Sequence, residues 1–201
     1  NSWASQYDSN KNKTRDLDKR VTTETLRNYK FKNVLELGCG TGKNTKWLLT
    51  KAKSIIGLDF SEEMLKSAMT KISSNKVKFK KADLNKDWEV ENNFADLVTS
   101  SLTLEHIANL KHIFHQASLK LKRNGLFFIC ELHPFKQYLG SKAKFETSTG
   151  THELETCVHD VSQYINDAKT NGLELLELKE WFDDSEEQKL PRLISFVFRK
   201  K

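Results

Sequence analysis

An α/β fold, with a mostly parallel sheet covered by helices on both faces, is what this sequence predicts. Three observations carry that expectation. Short apolar runs alternate with amphipathic helical stretches from residue 34 to residue 132. The run at 126–132 is nearly continuous in apolar residues, the composition of a strand buried on both faces. The first run, 34–37, ends in glycines at alternate positions, Gly38, Gly40 and Gly42, just where a helical pattern begins. Such a strand–turn–helix lets a ligand approach bare backbone and meet the unpaired N–H groups of a helix start.

In chain order, residues 1–30 are polar and helix-compatible, with Trp3, Tyr7, Leu17, Val21 and Leu26 as apolar points. They read as an N-terminal arm and a helix laid against the domain. Residues 43–52 follow the glycines as a helix whose inward face is Trp47, Leu48 and Ala52. Residues 54–58 form a second strand that delivers Asp59. Ser61 is placed to cap the next helix, with Glu62 and Glu63 in its first turn and Met64, Leu65, Ala68, Met69 and Ile72 as its stripe. Residues 77–82 are a third strand ending at Asp83, its alternate lysines suiting a protected sheet edge. The fourth strand is 95–100. A helix over 109–122 buries Leu110, Ile113, Phe114, Ala117 and Leu121 and is stopped by Gly125. The fifth strand is 126–132.

Residues 133–160 break the rhythm, and a long irregular stretch at the carboxyl end of a strand is usually functional. Residues 161–171 resume as a helix. Residues 173–181 and 193–198 are strands joined by a loop, which predicts an antiparallel hairpin at one sheet edge. Connections are short throughout, so the 201 residues are expected to form a single domain.

Composition narrows the function classes. Hydrophobic content of 37% and charged content of 30% belong to an ordinary folded protein. No apolar run approaches the roughly 20 residues that cross a bilayer. The start, Asn-Ser-Trp-Ala-Ser-Gln-Tyr, lacks the basic flank and apolar centre of a signal peptide. Cys39, Cys130 and Cys157 have no metal-ligand spacing and read as reduced, so a cytoplasmic location and no metal are expected. The net charge of +6 is spread along the chain and interleaved with acids, which disfavours a nucleic-acid partner.

The glycine loop itself admits three ligands. A phosphate-gripping loop needs Gly-x4-Gly-Lys-Ser/Thr, but position 37 is Leu and Lys43 is followed by Asn44. A dinucleotide fingerprint needs its third glycine one residue later than Gly42. The third reading fits as written. Glu-Leu-Gly-Cys-Gly-Thr-Gly at 36–42 resembles the first signature of class I S-adenosylmethionine-dependent methyltransferases, in their small-molecule, methyltransferase type 11-like form. Ile-Gly-Leu-Asp-Phe-Ser-Glu-Glu-Met-Leu at 56–65 resembles the family's second strand with its ribose-binding acid, and Lys-Ala-Asp-Leu at 81–84 its adenine-flanking acid. The stretch from Phe94 to Ile107 resembles its fourth strand and following loop. Leu121 to Ile129 resembles the step into strand five, with Arg123-Asn124 in place of the usual proline and glycine.

That resemblance covers most of the chain and implies a Rossmann-like doubly wound sheet of seven strands, order 3-2-1-4-5-7-6, with an antiparallel C-terminal strand. It implies S-adenosylmethionine as cofactor and S-adenosylhomocysteine as product. The cofactor contacts it implies are Glu36, Gly38, Cys39, Gly40, Thr41, Asp59, Phe60, Met64, Asp83, Leu84, Ser100 and, from the arm, Tyr7. Physical chemistry agrees: Asp59 lies about 20 residues past Gly38, where an acid meets ribose hydroxyls. Asp83 suits the adenine amine, Leu84 and Met64 the ring faces, and Glu36 the ligand's ammonium. Taken singly, Asp59 and Asp83 also read as strand-end caps.

On the acceptor side, in-line methyl displacement asks for alignment, desolvation and sometimes a base. His133 and His106 are the candidate bases, with His152, His159 and Glu131 behind them. Phe135, Tyr138, Phe145 and His133 are expected to line an acceptor pocket, closed by Trp3 and Tyr7 of the arm acting as a lid. The same aromatics also suit plain packing of residues 133–160 onto the sheet. The run Ser-Ser-Leu-Thr at 100–103 is not the Asp/Asn-Pro-Pro-Tyr of DNA-amino methyltransferases. A small-molecule oxygen, nitrogen or sulfur acceptor is therefore expected, on a monomer or homodimer. An NAD(P)-dependent oxidoreductase and a non-catalytic, cofactor-binding regulatory subunit are the alternatives.

Overall fold

The computed structural model describes residues 12–139, 144–147, 150–153, 156–183 and 190–201. Helix α1 (Lys13–Leu26) begins where the Asn12 side chain accepts the Arg15 N–H at 3.0 Å, and it turns Leu17, Val21 and Leu26 inward. Then come β1 (Asn33–Leu37), α2 (Lys43–Leu48), β2 (Ser54–Asp59), α3 (Glu62–Lys71), β3 (Val77–Lys81) and β4 (Ala95–Ser101). A 3₁₀ turn, Leu104–His106, leads to α4 (Leu110–Lys120) and β5 (Leu121–Leu132). The segment that breaks the alternation holds α5 (Pro134–Tyr138) and a small hairpin of β6 (Lys144–Thr147) and β7 (Gly150–Glu153). Helix α6 (Val161–Thr170), β8 (Leu173–Trp181) and β9 (Leu193–Lys200) complete the described chain.

The main sheet runs β3-β2-β1-β4-β5-β9-β8. Counting its seven strands alone, this is the expected order 3-2-1-4-5-7-6. The first five are parallel, and β9 is antiparallel to both β5 and β8. The order reverses between β1 and β4, so their carboxyl ends part and open a crevice there. Alternation along each strand feeds two cores. Leu35, Phe127 and Ile129 face α4 and α6, while Val34, Phe128 and Cys130 join Leu17 and Val21 of α1 and Leu48 of α2. Between α4, α6 and the sheet, Phe114 sits edge-on to Phe198 at 5.5 Å, and Tyr164 stacks on Phe196 at 4.9 Å.

Ser61 caps α3 as expected, its hydroxyl accepting the Met64 N–H at 3.3 Å. Three local expectations need correction. Helix α2 ends at Leu48, leaving Trp47 half-buried although Ala52 remains in the core. In α3 only Leu65 and Ala68 are buried, and Met69 faces solvent. Gly125 does not stop α4: the helix ends at Lys120 and β5 starts at once. The register then jumps from Ala95↔Leu121 to Leu97↔Leu126 across a bulge, where Asn124 takes the left-handed conformation with φ 62°. Asn tolerates that region, which is how the chain turns here without the usual Pro-Gly.

Candidate functional site

The glycine loop hangs on β2. Gly40 N–H donates to Asp59 Oδ2 and Ser61 N–H to Asp59 Oδ1, both at 2.8 Å, and Cys39 N–H donates to the Leu58 carbonyl at 3.0 Å. Gly38 and Gly40 have φ of 62° and 52°, conformations that side chains resist. They are glycine for different reasons. A Cβ on Gly38 would run into the Thr103 side chain, whereas one on Gly40 would meet nothing within 4 Å. Gly38 therefore packs against the loop after β4, and Gly40 leaves an open face for a ligand.

Two clefts flank this loop at the carboxyl edge of the sheet. The first is walled by Glu36, the loop from Leu37 to Thr41, Thr99 and Ser101 of β4, and Arg15 and Asp18 of α1. Glu36 is 5% exposed and accepts the Thr45 hydroxyl at 2.5 Å; burial pushes its carboxyl up to about 8, against that hydrogen bond. The second cleft lies beyond β2 and β3, with Leu58, Phe60, Ala82 and Asp83 among its walls. Asp83 accepts from the backbone and side-chain nitrogens of Asn85, each at 3.0 Å, which hold its carboxyl below the usual range. An elongated nucleoside ligand laid over Gly40 would span both: an amino-acid end at Glu36, a ribose at Asp59, a base at Asp83. The donor set fits such a ligand, and a buried oxygen of Asp18 without a hydrogen-bond partner lies at its amino-acid end.

Expected site residues fall unevenly on this geometry. Glu36, Gly38, Cys39, Gly40 and Thr41 line the first cleft; Phe60 and Asp83 line the second, and Asp59 ties the two together. Ser100 does not join them. Strand alternation turns Thr99 and Ser101 into the cleft, while Ser100 is fully buried beside Leu37. Leu84, 5% exposed, belongs to the core beneath Trp88, and neither it nor Met64 lines a cleft; Leu58 and Ala82 supply the apolar wall. Burial lifts the Cys39 thiol far above its ordinary range, so it acts as a small apolar side chain.

His133 departs most from expectation. It is 7% exposed, its Nδ1 accepts the Phe135 N–H at 3.2 Å, and its Nε2 lies 2.9 Å from Glu180 Oε1. Both ring nitrogens are thus used to start α5 and tie β5 to β8, and His133 lines neither cleft. His159 is similarly engaged, its Nε2 facing the carbonyls of Leu104 and Ile107 at 3.2 and 2.7 Å. His106 is exposed on the 3₁₀ turn, with Glu105 Oε1 3.9 Å from its Nε2. Phe135 and Tyr138 lie largely in solvent on α5 rather than in either cleft, and Phe145 is placed on β6 by backbone alone. Trp3 and Tyr7 lie outside the described residues. No described helix is long and apolar enough to cross a membrane.

Sequence reasoning missed Asp18, Arg15, Thr99 and Ser101. A signal for Asp18 existed: Asp18, Thr22 and Thr25 form a polar stripe at helical spacing beside the apolar one, and all are buried. Two buried acids also gain meaning only here. Glu131 Oε1 accepts the N–H groups of Thr103 and Leu104 at 3.1 and 3.0 Å, and burial pushes it up to about 8; Glu105 is pushed up to about 7 by the same cause.

Residues 35–129 match the model of the methyltransferase domain family. The ubiquinone biosynthesis O-methyltransferase of Pelagibacter ubique is 26% identical over 170 residues, covering 82% of this chain and 69% of that protein. Among solved structures, one from Listeria monocytogenes, provisionally described as an S-adenosylmethionine-dependent methyltransferase, superposes with a TM-score of 0.80 at 24% identity, over 92% of this chain and 98% of its own. A complex of DhpI with S-adenosylhomocysteine superposes with a TM-score of 0.75 at 18% identity, over 99% and 92% of the two chains.

Proposed function

We propose that this chain is a class I S-adenosylmethionine-dependent methyltransferase that transfers methyl to an oxygen atom of a small molecule; the methyltransferase-domain match over residues 35–129 and the shared fold support the family. The observation that carries the cofactor half is the continuous line of Glu36, Gly40, Asp59 and Asp83 across two adjoining clefts at the switch point of the sheet. Support for an oxygen acceptor comes from relatives named as O-methyltransferases of ubiquinone biosynthesis and of malonyl-acyl-carrier protein.

The bound cofactor supplies a methyl group on a sulfonium, already activated for displacement. The chain's part is placement. Asp59 would receive the ribose hydroxyls with lone pairs not used by Gly40 and Ser61. Asp83 would receive the adenine amine, with Phe60 and Ala82 on the same cleft wall. Arg15 and Lys43, on the wall of the first cleft, would answer the carboxylate. His106, exposed on the 3₁₀ turn after β4 and next to the buried Glu105, would hold the acceptor's proton.

Isothermal titration with S-adenosylmethionine, S-adenosylhomocysteine and NADH tests the cofactor half. Binding of both S-adenosyl compounds and not NADH is expected, and the reverse pattern overturns the reading. For the acceptor half, phenols, amines and thiols are offered with methyl-labelled cofactor. Label appearing only on nitrogen or sulfur rejects oxygen. The variant His106→Ala is expected to lower turnover by about 100-fold or more with cofactor affinity unchanged.

A further inference from the structure

The two edges of the main sheet are finished differently. At one edge β3 presents Lys78, Lys80 and Lys81 to solvent, and lysines on an open strand keep other strands away. At the other, β8 presents Leu175, Leu176 and Leu178, which are 37%, 39% and 39% exposed, with Phe182 just beyond them at 43%. Strand β9 takes one side of β8, and among the described residues no strand pairs with its other side. Backbone N–H and C=O groups along such an edge are open to a further strand, and large apolar side chains beside them favour a contact that excludes water.

The bulge between Leu175 and Glu177 bends the first half of β8 and leaves Glu177–Trp181 as its regular part. Two identical edges join into one sheet antiparallel, about a two-fold axis normal to that sheet. Such an axis keeps the faces, so it passes between one residue and its own copy, and every residue meets one of the same parity. Charge then selects the register. A two-fold at Glu177 or at Glu180 sets carboxylates together, and one at Lys179 sets ammonium against ammonium. Trp181 is buried at the end of the strand. A two-fold at Leu178 sets leucine against leucine and places Glu177 opposite Lys179 twice, once on each side. Glu177 and Lys179 lie opposite Val197 and Ser195 of β9 and so share one face of the sheet, where such cross-strand partners meet.

We propose that the outer edge of β8 is a homodimer interface, occupied by β8 of a second copy of this chain paired antiparallel about Leu178. Two seven-stranded sheets then run on as one. The exposed leucines lose water, and the two Glu177–Lys179 pairs fix the register and disfavour its neighbours. The contact is short, so the dimer is expected to dissociate in roughly the micromolar range rather than be permanent. Nothing in this depends on the methyl-transfer reading. Neither cleft has a wall from β8 or β9, so both stay open in the dimer and ligand binding does not require assembly.

Sedimentation equilibrium of the full chain, from about 1 to 200 µM, tests this. A species of twice 23.3 kDa is expected to form over that range. Glu177→Lys and Lys179→Glu each set like charges opposite one another and are expected to weaken the dimer about tenfold or more; the double swap restores opposite charges and is expected to restore the dimer. Mild oxidation of Leu178→Cys, carried with Cys157→Ser to remove the half-exposed thiol, is expected to give a covalent dimer that Cys157→Ser alone does not. A monomer at every concentration, which leaves the edge to a strand of another protein, overturns the proposal. So does a dimer indifferent to both single variants, or one that the double variant fails to restore. Should the charge variants not fold, the cross-link decides, and its absence overturns the proposal.

Discussion

Asp59 holds the N–H groups of Gly40 and Ser61 with its two oxygens, and the proposed reading adds a ribose to the same carboxylate. Asp59→Ala is expected to weaken cofactor binding more than tenfold, about 1.4 kcal/mol or more, and unchanged affinity by titration would remove its ribose role. The two glycines separate structure from binding. Gly38→Ala drives a methyl group into Thr103 and should lower the melting temperature together with affinity. Gly40→Ala meets open space, so beyond the roughly 1–2 kcal/mol of left-handed strain its main expected effect is on the ligand. Calorimetry and titration on both variants check this, and an equal fall in melting temperature would contradict it. His133, with both ring nitrogens engaged, is expected to behave as a structural residue: His133→Ala should cost stability and leave turnover at saturation within about threefold. A large loss of turnover in a folded variant would return it to the chemistry.

At the scale of elements, periodicity was a good guide where a face is buried and a poor one where the chain changes direction. Helix α4 places Leu110, Ile113, Phe114 and Ala117 inward as its pattern predicts, because one stripe must meet the sheet. Phe114 touches Phe127, Tyr164 and Phe198 edge-on, so Phe114→Ala should destabilise the protein by about 3–5 kcal/mol in urea unfolding; a loss under about 1 kcal/mol would mean that the cluster repacks freely. The sequence pattern places the start of β5 too late, because Gly125 looks like a helix stop. In the fold, hydrogen bonding to β4 already recruits Leu121, and Asn124 absorbs the left-handed turn. Likewise the family resemblance implies Ser100 as a cofactor residue, yet the two-residue period of β4 gives the cleft to Thr99 and Ser101. The lysines of β3 do mark a sheet edge.

The whole molecule stores acids where water cannot reach them. Glu36 and Glu131 are pushed up to about 8 and Glu105 to about 7, all chiefly by burial. A native carboxyl raised above its unfolded value holds a proton that the unfolded chain has released, so stability is fullest below about pH 4.5 for these groups and falls as pH rises towards 8. The ligand-free protein should lose stability on the order of 1 kcal/mol per pH unit for each such group across that window. Melting curves from pH 5 to 8 check the sign. Glu131→Gln, which keeps an acceptor for Thr103 and Leu104, should flatten the slope, and a pH-independent melting temperature would reject the account. The sequence by itself determined the alternating fold, the glycine turn at the end of β1 and the nucleoside-type site with its two acids at the ends of β2 and β3, because these depend on local periodicity and backbone chemistry. Only the tertiary structure decided that Asp18 of α1 stands beside Glu36, that His133 is spent on α5 and β8, and that Leu84 belongs to the core. The burial and partners of a polar group are set by segments far apart in the chain, and no local pattern contains them.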